Sequence, residues 1–255
     1  MDEYEFYNTT KNWDFSDIKY VKENLTNWDM YDILKSNTTR ESRLLDLGTG
    51  GGEKVLKYFP EVEEILATDY SEEMIKTANN SLRQSEKKNI TFRVMNNLEM
   101  DTPDDYFDVV VARHTCIDAK QIYKTLKTDG MLILRGVDKL DCWELKKLFG
   151  KGQAFKDEKP ISVIDYESIL DAGFKDVELI PIHVREYYKT KADLLALLLK
   201  TPILTEFSKL GEDDMLNTSK LHKIDIEKLN KYVERNTYKQ GIRLIRRYYG
   251  ITARK

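Results

Sequence analysis

The 255-residue chain is poor in the residues that build covalent or metal frameworks, with two cysteines and three histidines. Cys116 and Cys142 exclude a disulfide framework or a Cys-rich zinc site, and His114, His183 and His222 lack ligand spacing, so no metal is expected. No stretch approaches the ~18 apolar residues of a membrane span. The acidic N-terminus lacks the features of a secretory leader, so the expectation is a cytoplasmic chain with no membrane partner. With only five prolines and no Pro/Gly/Ser-rich linker, the length suits one large domain with elaborations. No basic excess exists either: 41 Lys and Arg against 44 Asp and Glu give a net charge of -3, which provides no general attraction to nucleic acid or anionic membrane.

What is present is concentrated in residues 43–53, where Leu44, Leu45 and Leu47 form an apolar run, Asp46 interrupts it, and Gly48, Gly50, Gly51 and Gly52 follow. Val55, Leu56 and Phe59 then take up helical spacing, which makes this a strand-to-helix turn in an α/β fold. Glycines in such a turn let a ligand approach the backbone. A dinucleotide fingerprint requires Gly or Ala three positions after its second glycine, and here that residue is Glu53. Residues 64–69 read as a second strand ending in Asp69, 21 positions after Gly48, near the ~20-residue offset of a ribose-binding acid. Ser71 fits an N-cap before the helical run Met74, Ile75, Ala78 and Leu82. Strands are expected at 90–95, 107–112 and 131–135, with helix-like residues 118–127 and a turn at Thr128–Asp129–Gly130 between the last two.

The pattern Asp46-x-Gly48-x-Gly50-x-Gly52 resembles motif I of the class I S-adenosylmethionine (SAM)-dependent methyltransferases. The resemblance is strong over residues 40–137, weaker through a strand near 177–184, and returns at 244–255. It is nearest to the bacterial small-molecule or uncharacterised branch. It implies a Rossmann-like, doubly wound, seven-stranded and mostly parallel sheet with its last strand antiparallel. Around that sheet it suggests an N-terminal helical cover at 1–40, a SAM-binding core at 41–186, a helical insertion at 187–240 and a terminal strand at 241–255. It further implies SAM as cofactor, S-adenosylhomocysteine as product, and Asp46, Gly48, Thr49, Gly50, Gly52, Asp69, Tyr70, Met74, Asn96, Asn97 and Arg113 as cofactor contacts. Where such enzymes usually carry an Asp after the third strand, this chain has Asn96 and Asn97, which keep hydrogen-bonding capacity without charge. SAM carries an ammonium and a sulfonium and no phosphate, which suits the carboxylate of Asp46 better than a pyrophosphate would.

Methyl transfer requires a positioned nucleophile and, for some acceptors, a base. The fourth core strand ends in Ala112-Arg113-His114-Thr115, and His114 is the candidate base because imidazole titrates near neutrality. Neither Asn-Pro-Pro-Tyr nor Asp-Pro-Pro-Tyr occurs here, which argues against amino-group transfer of the adenine or glutamine type. Tyr7 and Trp13, from an aromatic-rich N-terminal segment, are candidates for a cover over the substrate, with packing of the core as the alternative. The charge balance favours a small-molecule acceptor. Methylation of ribosomal or transfer RNA through the basic end Arg243 to Lys255, and a SAM-binding regulator without turnover, remain open alternatives, as does a homodimer.

Overall fold

Three leucines and a parallel neighbour on each side explain why residues 43–47 form a strand. Leu44, Leu45 and Leu47 are all wholly buried, and a strand buried on both faces takes such a continuous apolar run. The computed structural model describes Phe15, residues 17–204, Phe207 and residues 223–255. Its strands are β1 (Tyr20–Asn24), β2 (Arg43–Leu47), β3 (Glu64–Asp69), β4 (Ile90–Val94), β5 (Phe107–Arg113), β6 (Leu126–Val137), β7 (Lys175–Tyr188), β8 (Thr237–Tyr238) and β9 (Gly241–Arg254). Its helices are α1 (Met30–Ser36), α2 (Glu53–Tyr58), α3 (Glu72–Arg83), α4 (Ala119–Thr125), α5 (Trp143–Phe149), α6 (Ile161–Asp171), α7 (Lys191–Lys200) and α8 (Lys223–Asn236).

The chain divides into two compact units, of which the larger comprises Trp28–Val137, Ile161–Pro181 and Tyr249–Lys255. The five strands that lie wholly in this unit follow the order β6-β5-β2-β3-β4. β2 pairs in parallel with β3 on one side and β5 on the other, and β3–β4 and β5–β6 are also parallel. The chain therefore leaves β2 in one direction and returns to continue in the other. The crevice at the carboxyl ends of β2 and β5 is the switch point where open α/β sheets bind ligands. Alternation along the strands supplies two apolar faces. Leu44, Val109, Val111 and Ile133 pack with Met30 and Leu34 of α1, Val55 of α2 and Ile75 and Ala78 of α3. Leu45, Val110, Leu132 and Leu134 pack on the other side with Ala119 and Ile122 of α4 and Ile169 of α6. This is the doubly wound α/β sheet expected from the sequence. The expected turn at Thr128–Gly130 lies within β6, where the register to β5 shifts between Phe107 and Val109 and Asp129 takes a φ of 62°.

The other unit comprises Met1–Asn27, Asp138–Pro160 and Ile182–Tyr248. The leucine-rich α7 begins with a capping box, Thr190 accepting from the Asp193 N–H and Asp193 from the Thr190 N–H, and its side chains share a core with Leu145 and Phe149 of α5 and Leu229 and Tyr232 of α8. Within it lies a buried ion cluster. The Arg246 Nε donates to Asp141 at 3.0 Å, its Nη1 donates to Glu186 at 3.3 Å, and the Tyr188 hydroxyl donates to Glu186 at 2.6 Å.

Three expectations are corrected. The described residues hold nine strands rather than seven, β1 and the two-residue β8 among them. The segment 1–40 is not wholly helical, because β1 pairs antiparallel with β7 and Tyr20 stacks on Tyr188 with ring centroids 5.4 Å apart. Residues 41–186 do not form one unit, since 138–160 and 182–186 fall in the other. In the expected insertion at 187–240, the described part is helical in α7 and α8. Tyr7 and Trp13 lie outside the described residues.

Removing one partner of a buried ion pair strands the other charge, at a cost of about 3–5 kcal/mol. Arg246→Leu should therefore lower the unfolding free energy from denaturant titration by that amount, and adding Asp141→Leu should recover part of the loss, Glu186 being left without its guanidinium partner. A cost below about 1 kcal/mol for the single change would show that the cluster is not a stability element.

Candidate active site

The glycine turn is held by backbone bonds from both sides. The N–H groups of Gly48 and Thr49 donate to Thr68 O at 2.9 and 2.8 Å. The Asp69 carboxylate accepts from the Gly50 N–H at 2.8 Å with one oxygen and from the Ser71 N–H at 2.9 Å with the other. Two positions in the turn require glycine. A Cβ at Gly48, whose φ is 76°, would lie 2.7 Å from Thr115 Cβ, and one at Gly52, φ 78°, would lie 2.6 Å from the Phe92 ring.

Asp46, on β2 just before the turn, is 5% exposed. Burial pushes its carboxyl up to about 7, with the Thr49 hydroxyl and the Arg113 guanidinium pulling it down and Asp69 adding an upward push. The Thr49 Oγ1 is itself buried and makes no hydrogen bond of full geometry, and the Asn97 Oδ1 is likewise buried without a partner. Asn97 Nδ2 donates to Thr115 Oγ1 at 2.9 Å, so Asn97 is tied to the residue that packs on Gly48. Unpaired buried polar atoms are costly in a folded protein, and their clustering at one turn marks a place where a ligand completes the bonding.

The remaining expected contacts are dispersed around this turn. Asn96 accepts from the Leu98 N–H at 3.0 Å, which shapes the loop after β4. Tyr70 is half exposed just beyond Asp69, and Met74 is buried on α3. Arg113 lines a concavity with Met30, Tyr31, Asp46, Gly48, Thr49, Lys54, Phe59 and Val111. His114 follows at the end of β5, exposed and with a φ of 54°, and does not line that concavity. Its Nε2 is in contact with the Arg135 Nη1. A guanidinium only donates, so Nε2 can join it only as an acceptor.

Sequence reasoning missed Met30, Tyr31, Lys54 and Phe59 as lining residues and Thr115 as the partner of Asn97. Tyr31 stacks on Tyr58 with centroids 4.8 Å apart, and Lys54 Nζ stands 5.4 Å over the Tyr58 ring. Burial raises the Tyr31 pKa, against the pull of Arg113. Among the described residues no cluster of three His, Cys, Asp or Glu side chains is arranged to hold a metal, and no helix is long and apolar enough to cross a membrane.

Residues 38–171 match the family described as a methyltransferase domain. The match takes in more than half of the chain, which belongs to this family, of the class I SAM-dependent type. The uncharacterized methyltransferase YcgJ of Bacillus subtilis is 28% identical over 101 residues, 37% of this chain and 40% of YcgJ. The ubiquinone/menaquinone biosynthesis C-methyltransferase UbiE of Proteus mirabilis is 29% identical over 133 residues, 48% of this chain and 53% of UbiE. The chain thus spans about half the length, or less, of these curated relatives. The crystal structure of YcgJ superposes with a TM-score of 0.55 at 16% identity, covering 89% of this chain and 97% of that one. Phosphoethanolamine N-methyltransferase 2 of Haemonchus contortus, solved with phosphomonomethylethanolamine and S-adenosylhomocysteine, gives 0.50 at 18% identity over 89% and 52%. These likenesses show a shared fold.

SAM is the cofactor of this family, and the turn fits it. The glycines offer close backbone approach, Asp46 offers a buried carboxylate to a cation, and Thr49 and Asn97 offer buried polar atoms without a hydrogen bond of full geometry among the described residues.

The raised Asp46 value has a stability consequence. Its carboxyl titrates near 7 in the fold against an ordinary 3.8, so ionisation opposes folding. The contribution of Asp46 to stability is therefore most favourable below about pH 4, falls as pH rises to about 7, and is level above, with a total loss of up to about 4 kcal/mol. Asp46→Asn should match the wild type at pH 4 and melt higher at pH 8. Equal melting temperatures at both pH values would contradict the buried carboxyl.

Proposed function

We propose that this chain transfers the methyl group of SAM to a small-molecule acceptor. The observation that carries the proposal is the glycine turn itself, with buried Asp46 before it and the unpaired Thr49 and Asn97 atoms around it. In this reading Asp46 faces the cofactor's cationic end and Asp69 uses its remaining lone pairs for ribose hydroxyls. Asn96 and Asn97 meet the adenine edge, with Tyr70 and Met74 flanking it. Bound SAM supplies an activated methyl group on a good leaving group, so the protein's task is to bind, orient and exclude water. His114 serves as base only for an acceptor whose arrival displaces Arg135 from Nε2.

Two observations favour a small acceptor over RNA. A relative of similar sequence over half its length, UbiE, is named for ubiquinone/menaquinone biosynthesis, a small-molecule pathway. The basic end of the chain, the feature that recommended RNA, is largely engaged within the protein. Arg246 pairs with Asp141, Arg254 Nη2 donates to Asn37 Oδ1 at 2.8 Å, and Lys255 pairs with Asp105 at 2.7 Å. With a net charge of -3, any binding to nucleic acid is expected to be weak and salt-sensitive.

Calorimetry is expected to show binding of SAM and S-adenosylhomocysteine and none of NAD. Asp69→Ala should weaken SAM binding about ten- to a hundred-fold, the loss of one charge-assisted hydrogen bond, plus whatever the turn loses when Gly50 N–H is left unpaired. Methyl-labelled SAM mixed with a metabolite extract should label a small component. Label in purified transfer or ribosomal RNA at physiological salt would reverse the choice of acceptor, and binding without transfer to any fraction would favour a regulator.

A further inference from the structure

In the proposed SAM site Asp46 stands on β2, Asp69 at the end of β3 and Asn97 beyond β4, so the cofactor lies across these three adjacent strands. On the other side of β2 the carboxyl edge belongs to β5 and β6. Arg113 closes the cofactor's concavity there, and the position beside it is Arg135, its partner in the register of the two parallel strands. Asp46 is level with Val111 and Val111 with Ile133, so Arg135 stands two residues beyond Asp46, about 7 Å further toward the edge. Met131 and Ile133 pack on the α1 side of the sheet, and alternation puts Arg135 on that side too. It does not line the concavity but adjoins it, since burial raises the Tyr31 pKa while Arg113 and, less strongly, Arg135 pull it down.

This guanidinium meets the candidate base. Arg135 Nη1 is in contact with His114 Nε2, and the His114 N–H donates to Arg135 O at 2.8 Å. His114 holds a φ of 54°, a left-handed conformation that is uncommon outside glycine and concentrated at functional positions. While Nε2 accepts from Arg135, it has no lone pair left for a proton, so the contact masks the base. An imidazole nitrogen offers the guanidinium one bond, whereas a carboxylate or phosphate offers two parallel charge-assisted ones. An anion at this edge outcompetes Nε2 for Arg135, and a neutral molecule does not.

We propose that the methyl acceptor is a small acid whose carboxylate or phosphate draws the Arg135 guanidinium away from His114, so that the acceptor unmasks the base that takes its proton. This rests on the methyl-transfer reading of the chain. It narrows the acceptor to a chemical class, with Arg135 binding its anionic group and His114 receiving its proton. As the acceptor's oxygen or nitrogen bonds to the methyl carbon, the bond from that carbon to sulfur breaks and its electron pair stays on sulfur. The proton passes from the acceptor to Nε2. A neutral alcohol or amine at the same edge finds the base still engaged. A second source of the anion is the carboxylate of SAM itself, and the two sources separate by experiment.

The full chain, saturated with S-adenosylhomocysteine, is titrated with benzoate, phenyl phosphate and the neutral benzamide, which share a ring and differ in charge. At least one acid should bind ten-fold or more tightly than benzamide. Arg135→Met should weaken that acid ten-fold or more while leaving the affinity for S-adenosylhomocysteine within two-fold. Nitrogen resonances of the three imidazoles supply a second readout, His114 being assigned by its absence from His114→Gln. In the wild-type chain the His114 Nε2 signal should move when the acid binds and stay when benzamide is added, a test that stands even if an Arg135 variant fails to fold. Equal binding of acids and benzamide, no binding of either acid, or a His114 signal unmoved by bound acid would overturn the proposal. So would an Arg135→Met chain that loses S-adenosylhomocysteine but keeps 5′-methylthioadenosine, which lacks the carboxylate, because Arg135 would then hold the cofactor. A wild-type chain that binds no S-adenosylhomocysteine would overturn methyl transfer and the acceptor with it, whereas cofactor binding without acid binding would overturn the acid alone.

Discussion

The site depends on the Asp69 carboxylate accepting the Gly50 N–H with one oxygen and the Ser71 N–H with the other. Together with the bonds from Gly48 and Thr49 to Thr68 O, this pins the turn after β2 to the end of β3. Charge-assisted bonds to backbone amides are stronger than neutral ones. Here they hold a five-residue stretch with three glycines at positive φ, which otherwise has high conformational entropy. Two consequences follow from that fixed turn. Asp46 is held in a dry position where its ionisation is unfavourable, and Thr49 Oγ1 and Asn97 Oδ1 are left without a hydrogen bond of full geometry among the described residues.

These are costs that folding alone does not explain. A buried carboxyl titrating near 7 and two orphaned polar atoms each lower stability, and they gather around one turn at the topological switch point of the sheet. Stability sacrificed at one place is a mark of a binding site. A cation at Asp46 and polar ligand atoms at Thr49 and Asn97 would relieve all three at once, which is why membership of the SAM-dependent methyltransferase family and the local energetics lead to the same ligand.

Much of this was legible in the sequence, because it rested on local signals. The leucines of β2, the valines of β5, the glycines at positive φ and the acid ending β3 each declare themselves within a few residues, and Ser71 does cap α3, accepting from the Met74 N–H at 3.4 Å. What was not legible was decided by partners distant in the chain. β1 has no buried side of its own, all five residues being exposed, and it is a strand only because β7 offers it an edge. Tyr31 and Lys54 looked like ordinary helix residues, and only the packing of α1 and α2 on one face of the sheet brings them to the same concavity as Arg113. Asp69 was identified as a ligand contact, yet its bonds to the turn were invisible because they need the three-dimensional approach of β2 and β3. His114 was singled out for its chemistry, while its contact with Arg135, from the neighbouring strand, could not be read from either segment.

The central claim is that the strained polar atoms at the glycine turn exist for SAM. A crystal structure of the chain grown with S-adenosylhomocysteine tests it most directly. The account predicts the ligand at the carboxyl ends of β2 and β3, with Thr49 Oγ1 and Asn97 Oδ1 now bonded to it or to water that it fixes. A ligand bound elsewhere, or the same two atoms still unpaired beside it, would contradict the account.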